Sequence, residues 1–404
     1  MGKKDRIIDV AIIGGGAAGM MAALAAKSAG GNIKVTVFEK MPRPGRKILV
    51  TGKGRCNLTN ACGWEEFSTH IHPDAGLLRH PFEAFSPSDT ISFFKKIGLE
   101  CVTQRGRRVF PASMKAMDVV DALVRALKAK GVEIRCGCKA VGIVKDEDGT
   151  FTIRCANGQV AYSKTVIIST GGLSYPATGS EGDGYVFAED FGHRITPCFP
   201  SLTALRPAGY NMSSRWLRGL HLINISMQLY VDGNMVQEET GELDFTDGGI
   251  EGALGFRVSR KAVQALRNGS AVKTRIDLKP ALSDNQLQAK GNLPIEKLLP
   301  AAIARAFMAT NKANIRHYGL NSSLKRWDFA IESHTGYERA VITAGGVPAK
   351  EISPKTMESK LVPGLFFAGE IIDLDGDTGG YNLQIAWATG NAAGKSAAER
   401  YAQK

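Results

Sequence analysis

The hydrophobic pattern at the start of the chain predicts a strand, a glycine-rich turn, a helix and a second strand. Ile7–Ile13 is a short apolar run, residues 14–19 contain four glycines, and Ala17–Ala29 carries small residues along one face. Lys34–Phe38 is again apolar and ends at Glu39. A strand, a crossover helix and a strand in this order pack with the two strands parallel. The pattern therefore predicts an α/β first domain.

Later segments extend this domain and then change in character. After residue 192, short alternating segments broken by proline and glycine indicate antiparallel β structure, and residues 250–326 lose that alternation and are predicted to be helical. Near the end, apolar strands and a helix rich in small residues resume the first domain. Strands are predicted over Val132–Cys136, Val141–Lys145, Phe151–Cys155, Thr165–Ser169, Trp327–Glu332, Ala340–Gly345 and Leu365–Ala368, and helices over Asp118–Lys130, Pro294–Met308 and Leu383–Ala402.

These segments predict an interrupted domain. At 404 residues the chain is too long for one core. We expect a discontinuous Rossmann-like domain over 1–192 and 341–404, a β domain over 193–249 and 327–340, and a helical insertion over 250–326.

The charge of the chain is strongly positive and unevenly placed. It carries 51 Lys and Arg against 39 Asp and Glu, a formal charge of +12. Six basic residues and no acidic one lie between Lys40 and Arg55, and a second cluster contains Arg105, Arg107 and Arg108. Such an excess favours an anionic partner, whether a dinucleotide, RNA or an acidic metabolite. An ordinary basic enzyme explains it equally well.

Cysteine usage and hydropathy indicate a reducing compartment. The seven cysteines are odd in number and contain no C-x-x-C pair, which is typical of reduced thiols. No apolar run of about 20 residues and no secretory leader are visible. We expect a cytoplasmic protein that does not bind a membrane. His70 and His72 are interpreted as two isolated histidines, and no metal site is expected.

The first turn fits the dinucleotide-binding pattern G-x-G-x-x-G. Gly14 permits the tight turn, Gly16 lets the backbone approach a pyrophosphate, and Gly19 lets the helix pack closely on the strand. Ala17 and Ala18 open the helix, whose N–H groups and positive dipole end bind the pyrophosphate. Glu39, 20 residues beyond Gly19, is placed to accept the ribose hydroxyls. Lys40 beside it is included among the predicted contacts.

A second signature near the C-terminus selects FAD over NAD. The strand ending in Gly369-Glu370 resembles the segment of two-part FAD proteins whose carboxylate binds the ribitol chain. It is followed by a glycine turn at a helix N-terminus, which offers N–H donors to the flavin N1–C2 edge. The predicted contacts of this turn are Gly379, Gly380, Tyr381, Asn382 and Leu383.

The motifs together resemble the BaiN/YhiN flavoprotein family. They are the segment Pro44–Asn60, Thr170-Gly171-Gly172-Leu173-Ser174, Thr356-Met357-Glu358 and Gly379-Gly380-Tyr381-Asn382, which span nearly the whole chain. The resemblance implies an FAD domain interrupted by an antiparallel β-barrel-like domain that carries a helical insertion. It also implies FAD contacts from Arg46, Lys47, Gly54, Arg55, Cys56, Asn57, Val141, Thr170 and Gly171.

The family resemblance also suggests the reaction. Members are described as NAD(P)H-linked reductases of conjugated C=C bonds, with bile-acid enones and ribosomal RNA uridine among the proposed substrates. This chain departs from the commoner pattern at Asp247 and Glu251, where relatives tend to have histidine and serine or threonine, so the substrate does not transfer directly. Because no second G-x-G-x-x-G is present, NAD(P)H is expected to dock transiently.

Three hypotheses follow. The first is a hydride transfer from NAD(P)H through flavin N5 to a C=C bond, with ribosomal RNA uridine or a small conjugated molecule as the substrate. The second is an oxidase of a small amine or hydroxy compound. The third is an RNA-associated protein with structural FAD. Cys56 and Tyr381 are the candidate proton donors, with Asp377 as an alternative, and Arg55 is expected to lower the pKa of Cys56. The sequence does not indicate an oligomeric state.

Overall fold

The structure is a computed structural model that describes residues 7–291 and 293–402; residues 1–6 of the predicted first domain lie outside this range. The described residues divide into two compact units, one within residues 1–198 and 342–404 and the other within residues 199–341. The first unit thus extends beyond the expected boundary at residue 192. Buried His193 explains part of this extension, because its ring nitrogens contact Glu351 Oε2 at 2.9 Å and Ser359 Oγ at 2.8 Å.

The first unit contains most of the strands and eight helices of the described residues. Its strands are β1 Ile7–Ile13, β2 Val35–Glu39, β3 Thr59–Asn60, β4 Ile71–His72, β5 Cys101–Gln104, β6 Arg108–Pro111, β7 Glu133–Cys136, β8 Ala140–Lys145, β9 Phe151–Cys155, β10 Val160–Ile168, β18 Ile342–Gly346, β19 Leu365–Phe367 and β20 Asp375–Gly376, and β11 Thr196–Ser201 begins in it. Its helices are α1 Ala17–Ala29, α2 Arg46–Val50, α3 Trp64–Thr69, α4 Arg79–Ala84, α5 Pro87–Lys96, α6 Ala116–Ala129, α7 Asp183–Asp190 and α14 Tyr381–Ala402.

A seven-stranded sheet forms the centre of this unit. Its order is β7-β2-β1-β10-β9-β8, and β19 also pairs with β10. The pairs β2–β7, β1–β2, β1–β10 and β10–β19 are parallel, whereas β8, β9 and the start of β10 form an antiparallel meander. The predicted parallel arrangement of the first two strands is confirmed, and β1, α1 and β9 have the predicted bounds. This is the α/β, Rossmann-type architecture expected from the sequence.

Helices α1 and α14 pack closely through small residues. A Cβ atom added to Gly390 would lie 2.4 Å from the Ala18 carbonyl oxygen, and one added to Gly394 would lie 2.1 Å from that of Ala22. Both distances are well inside van der Waals contact, so the two backbones can meet only because these positions lack a side chain. The small residues of α14 therefore allow this helix to pack directly on the backbone of α1.

The second unit is built on a closed barrel of six strands. The order around the barrel is β12-β15-β14-β13-β16-β17, and all its pairs are antiparallel. The strands are β12 Leu205–Pro207, β13 His221–Val231, β14 Asn234–Phe245, β15 Ile250–Glu251, β16 Val272–Asp277 and β17 Trp327–His334. The helices are α8 Tyr210–Leu217, α9 Gly252–Arg267, α10 Asp284–Gln288, α11 Ala301–Thr310, α12 Lys312–Tyr318 and α13 Leu320–Ser323.

The prediction of a wholly helical segment over 250–326 is wrong at two places. Barrel strands β15 and β16 lie within it, and β16 pairs with β13 on one side and β17 on the other. Residues 272–277 alternate between buried and half-buried positions, as a strand with one face on a core does. The alternation covers only six residues between two helical segments, so the sequence pattern did not reveal a separate strand. The helices therefore flank a barrel strand.

None of the helices within the described residues is long and apolar enough to cross a membrane.

Candidate functional site

The three glycines that fit the G-x-G-x-x-G pattern are needed for two different structural reasons. Gly14 adopts φ +104°, and a Cβ there would lie 2.6 Å from the Ser169 carbonyl oxygen. A Cβ on Gly19 would lie 2.0 Å from the Gly14 carbonyl oxygen. At Gly16, by contrast, no heavy atom lies within 4 Å of the added Cβ. Positions 14 and 19 thus need glycine for packing, whereas position 16 leaves open space at the N-terminus of α1, where a pyrophosphate fits.

Glu39 lies beside this turn at the end of β2. Its Oε2 accepts a hydrogen bond from the Gly15 N–H at 2.8 Å, and its Oε1 accepts one from the Met41 N–H at 2.7 Å. Burial raises the pKa of Glu39, and these two backbone hydrogen bonds oppose that effect. Each oxygen keeps a lone pair free of these N–H groups, so the carboxylate can still accept ribose hydroxyls as predicted.

The ammonium of Lys40 faces two acidic side chains. Its Nζ lies 2.7 Å from Glu181 Oε2 and 2.5 Å from Asp183 Oδ2. Burial lowers the pKa of Lys40, but the hydrogen bonds to Asp183 and Glu181 outweigh burial and raise it. The structure thus gives this lysine a protein partner of its own, and a direct cofactor contact stays a prediction.

Lys47 and Glu370 are 323 positions apart in the sequence and form an ion pair at 2.8 Å. The other carboxylate oxygen of Glu370 accepts hydrogen bonds from Ser174 Oγ at 2.6 Å and from the Thr343 N–H at 2.9 Å. A Cβ on Gly171 would lie 3.7 Å from Lys47 Nζ. The three motifs around Lys47, Gly171 and Glu370 therefore meet at one place. Thr343 is a member of this cluster that the sequence motifs did not reveal.

The glycine turn before α14 contacts the loop that follows α2. Gly379 and Gly380 adopt φ values of +136° and +103°, which favour glycine. A Cβ on Gly380 would lie 2.5 Å from the Thr59 carbonyl carbon and 3.0 Å from Asn57 Oδ1. This Oδ1 is buried and has no hydrogen-bond partner among the described residues. An acceptor without a protein donor beside a helix N-terminus suits a polar ligand that donates a hydrogen bond.

Side chains of α14 fix this turn from within. The Asn382 side chain clamps Gly376, since its Oδ1 accepts from the Gly376 N–H at 2.8 Å and its Nδ2 donates to the Gly376 carbonyl at 2.7 Å. Buried Gln384 accepts hydrogen bonds from the hydroxyls of Thr59 at 2.7 Å and Thr90 at 2.8 Å. The first-turn N–H groups of α14, which have no intrahelical partner, are thereby held in place.

Cys56 is enclosed by protein. Its exposed fraction is 0%, and burial raises the pKa of its thiol to about 12, with a hydrogen bond to the Thr51 side chain opposing the effect. The expectation that Arg55 lowers this pKa is therefore wrong. The Arg55 guanidinium instead lies over the Phe110 ring, 5.2 Å from its centroid. A buried thiol with a raised pKa suits a packing role better than proton donation, and the catalytic role of Cys56 stays a prediction.

Tyr381 is also enclosed. Its ring stacks on the His70 ring at 4.4 Å between centroids and meets the Phe67 ring edge-on at 5.0 Å. Burial raises the pKa of the Tyr381 phenol, and the charge that Cys62 carries when ionised adds to the rise. The phenol is therefore neutral and held by its neighbours at physiological pH.

The two histidines of the motif His-Ile-His share one carboxylate. His70 Nδ1 lies 2.8 Å from Asp377 Oδ2, and His72 Nε2 lies 3.3 Å from Asp377 Oδ1. Burial opposes ionisation of Asp377, but the hydrogen bonds to His70 and His72 outweigh it and lower the pKa to about 2. The interpretation of these histidines as isolated is wrong. Pairing of β4 with β20 brings the sequence-distant segments together.

The basic cluster of Arg105, Arg107 and Arg108 lies beside the strand that follows the Arg46–Asn57 segment. β3 pairs with β6, which places Asn60 opposite Arg108. Asn60 Nδ2 donates to the Gly379 carbonyl at 3.2 Å and to the Gly106 carbonyl at 3.1 Å. The exposed arginines 105, 107 and 108 thus lie on a loop that a single side chain ties to the glycine turn.

Other predicted site residues are placed without a decisive contact. Val141 lies at a register irregularity of β8, with its side chain 54% exposed. Gly54 and Arg55 are exposed in the loop after α2. In the second unit, Asp247 and Glu251, the two departures from the family pattern, meet at Arg339 at distances of 2.8 Å and 3.2 Å. These residues stay predictions.

Comparison with known proteins agrees with this geometry. A family model described as the HI0933-like protein Rossmann domain matches residues 8–396. The chain belongs to this family. A 3-dehydro-bile acid delta(4,6)-reductase of Clostridium scindens is 33% identical over 97% of this chain and 99% of its own length. A ribosomal RNA dihydrouridine synthase of Escherichia coli is 29% identical over 94% of this chain and 96% of its own length.

Solved structures support the fold of this HI0933-like protein. A 3-ketosteroid delta1-dehydrogenase from Sterolibacterium denitrificans superposes with a TM-score of 0.56 at 13% identity, over 98% of this chain and 100% of that chain. The predicted resemblance to BaiN/YhiN flavoproteins is confirmed. The protein is an FAD-dependent oxidoreductase. Three features of the site fit a bound FAD. They are the open space at Gly16, the Glu39 carboxylate and the Asn57 oxygen that has no donor among the described residues.

Proposed function

We propose that this protein is an NAD(P)H-linked reductase of conjugated C=C bonds whose substrate is a uridine in ribosomal RNA. Bound FAD would supply the hydride-transfer chemistry between the nicotinamide and an electron-poor double bond. The product of this reaction on uridine is dihydrouridine. A cytoplasmic location, which ribosomal RNA requires, belongs to the same proposal.

The observation that carries the RNA substrate is the link between the glycine turn and the basic loop. Asn60 binds the carbonyls of both Gly379 and Gly106, and Arg105, Arg107 and Arg108 project from that loop as exposed side chains. Enzymes that act on a base take the base out of the stack and hold the surrounding backbone through cations. The loop offers cations next to the turn at which the reactive end of the cofactor is expected.

Of these arginines, Arg107 already pairs with Glu66. Surface ion pairs of this kind are weak and exchange readily with phosphate. Arg105 and Arg108 have no ion pair with an acidic side chain among the described residues. Two cations are therefore available for phosphates, and a third becomes available when its pair opens.

We assign the proton supply near the turn to the His70–Asp377–His72 cluster rather than to the enclosed thiol of Cys56. Reduction of a C=C bond needs a proton as well as a hydride, and imidazole exchanges protons readily near neutral pH. Asp377 lies within hydrogen-bonding distance of a ring nitrogen of each histidine, so both rings are held in place beside the glycine turn. The histidine side chains are 30% and 33% exposed, so water reaches both rings. The cluster therefore serves as the proton reservoir in our proposal.

Mass spectrometry of nucleosides from ribosomal RNA tests the substrate directly. Cells that lack the gene should lack a dihydrouridine that cells with the gene contain, and an intact copy should restore it. A copy with Arg105→Glu and Arg108→Glu should restore much less, whereas a copy with Lys128→Glu, an exposed lysine on α6, should restore it fully. Unchanged dihydrouridine after deletion would remove RNA from the proposal.

A small conjugated molecule is the second candidate substrate. The observation that favours it is the 33% identity with a bile-acid reductase over nearly the whole length of both proteins. Purified, FAD-loaded protein would then oxidise NAD(P)H in the presence of small enones, and the Arg105→Glu, Arg108→Glu variant would keep full activity. Loss of that activity in the variant would instead favour an extended anionic substrate.

A further inference from the structure

We propose that a groove on the first unit binds an amphipathic carboxylate of the fatty-acid class. Helices α1, α5, α6 and α14 line this groove, which has a volume of about 740 Å³. It lies along the later turns of α1 and α14, whereas the predicted FAD contacts lie at the first turns of both. Asn391 is ten residues along α14 from Tyr381, which at 1.5 Å per residue is about 15 Å.

The floor of the groove is apolar. It is formed by Met21 and Leu24 of α1, by Phe85, and by Phe93 and Ile97 on and just after α5. Met21, Leu24 and Phe85 are buried in the core, and Phe93 and Ile97 pack against it. A groove of this volume with an apolar lining is of the size that holds a small molecule. It suits a hydrocarbon chain and does not suit a polynucleotide backbone.

The rim of the groove is positively charged. Lys96, Arg125, Lys130 and Lys395 line it, and all four are exposed. Within residues 7–291 and 293–402, none of the four forms an ion pair. The acidic residue of the lining, Asp89, already accepts the hydrogen bonds of the capping box at Ser86. Charge complementarity therefore selects an anionic head group.

A buried donor in the wall of the groove also lacks its acceptor. Asn391 lines the groove and is 5% exposed, and its Nδ2 has no hydrogen-bond partner among the described residues. Buried amide donors are almost always paired, because an unpaired one loses its hydrogen bond to water without replacement. A carboxylate oxygen entering from the rim would supply the acceptor. The apolar floor, the cationic rim and this amide together define a ligand with a hydrocarbon body and one carboxylate.

Calorimetric titration of the FAD-loaded protein tests the proposal. The probe is sodium laurate below its micelle concentration, and dodecanol, which has the same chain without the charge, is the control ligand. We expect one laurate per chain, dodecanol binding at least tenfold more weakly, and an unchanged flavin absorbance spectrum. Asn391→Leu should weaken laurate by about tenfold because it removes a hydrogen bond to a charged group.

Two further variants separate the groove from other binding modes. Ala129→Trp fills the groove from an exposed lining position and should abolish binding, and Arg125→Glu should weaken it about threefold. Lys128→Glu, on the same helix as Arg125 but outside the lining, should leave binding unchanged.

Three outcomes would overturn the proposal. The first is equal affinity for laurate and dodecanol, and the second is laurate binding that Asn391→Leu and Ala129→Trp both leave intact. The third is a dimer, detected by light scattering, that dissociates in the Ala129→Trp variant but not on addition of laurate. The groove would then be an interface between two copies of the chain.

Discussion

The carboxylate of Asp377 makes the most quantitative prediction about this site. Replacing it with asparagine keeps the size and the hydrogen-bonding oxygen but removes the charge that faces His70 and His72. The pKa of Asp377 falls from 3.8 to about 2, and its side chain is 19% exposed. A difference of that size corresponds to about 2.5 kcal/mol in the free energy of unfolding.

The sign of the pH dependence follows from the direction of this pKa change. A carboxylate with a lower pKa in the folded protein contributes stability above pH 3.8, and the contribution is lost as the pH falls toward 2. The Asp377→Asn variant should therefore be less stable than the wild type by about 2.5 kcal/mol between pH 5 and 7. The difference should shrink steadily below about pH 4.

Urea denaturation of FAD-loaded protein at a series of pH values measures this difference. Asp190→Asn, at an exposed position at the end of α7, is the matched control and should follow the wild type throughout. Equal stability of wild type and Asp377→Asn near neutral pH would refute the reasoning. A difference that persists unchanged in acid would show that the loss comes from packing rather than from charge.

Three more predictions concern the cofactor motifs. Gly16→Ala should lower the affinity for FAD about tenfold, because the new Cβ occupies the space where the pyrophosphate is expected. It should leave the melting temperature of the apoprotein unchanged, because the Cβ meets no protein atom. Gly19→Ala should destabilise the apoprotein itself by about 1–3 kcal/mol, since its Cβ meets backbone; equal behaviour of the two variants would contradict the assignment. Glu370→Gln should weaken FAD binding about tenfold in fluorescence titrations, and a change below twofold would argue against a ligand contact. Iodoacetamide at pH 8 should alkylate exposed Cys136 and spare Cys56, whose pKa of about 12 leaves on the order of one thiolate in ten thousand; peptide mapping that finds Cys56 modified first would disprove its burial.

The sequence was sufficient for elements that are defined by local patterns. β1 and α1 were predicted with their observed bounds because an apolar run, a glycine turn and a row of small residues occupy consecutive positions. The ion pair between Lys47 and Glu370 could have been predicted from the sequence, because each residue belongs to a recognisable motif. Their contact required only that the motifs meet at one cofactor.

The sequence was insufficient where burial and distant contacts decide the chemistry. Arg55, which precedes Cys56, is basic and exposed, but the Cys56 side chain is buried in the core, and this burial raises the pKa of its thiol. His70 and Asp377 are 307 positions apart, and neither lies in a pattern that predicts the other. Strand β16 was missed because its alternation is shorter than the helical segments around it.

The most direct test of the proposed reaction is an anaerobic experiment with two steps. NAD(P)H is first added to the FAD-loaded protein, and a ribosomal RNA transcript is then mixed with the reduced protein while flavin absorbance is recorded. The account predicts that NAD(P)H bleaches the flavin and that RNA restores its absorbance, with one dihydrouridine formed for each flavin reoxidised. A flavin that NAD(P)H cannot bleach, or a reduced flavin that neither RNA nor a small enone reoxidises, would contradict it.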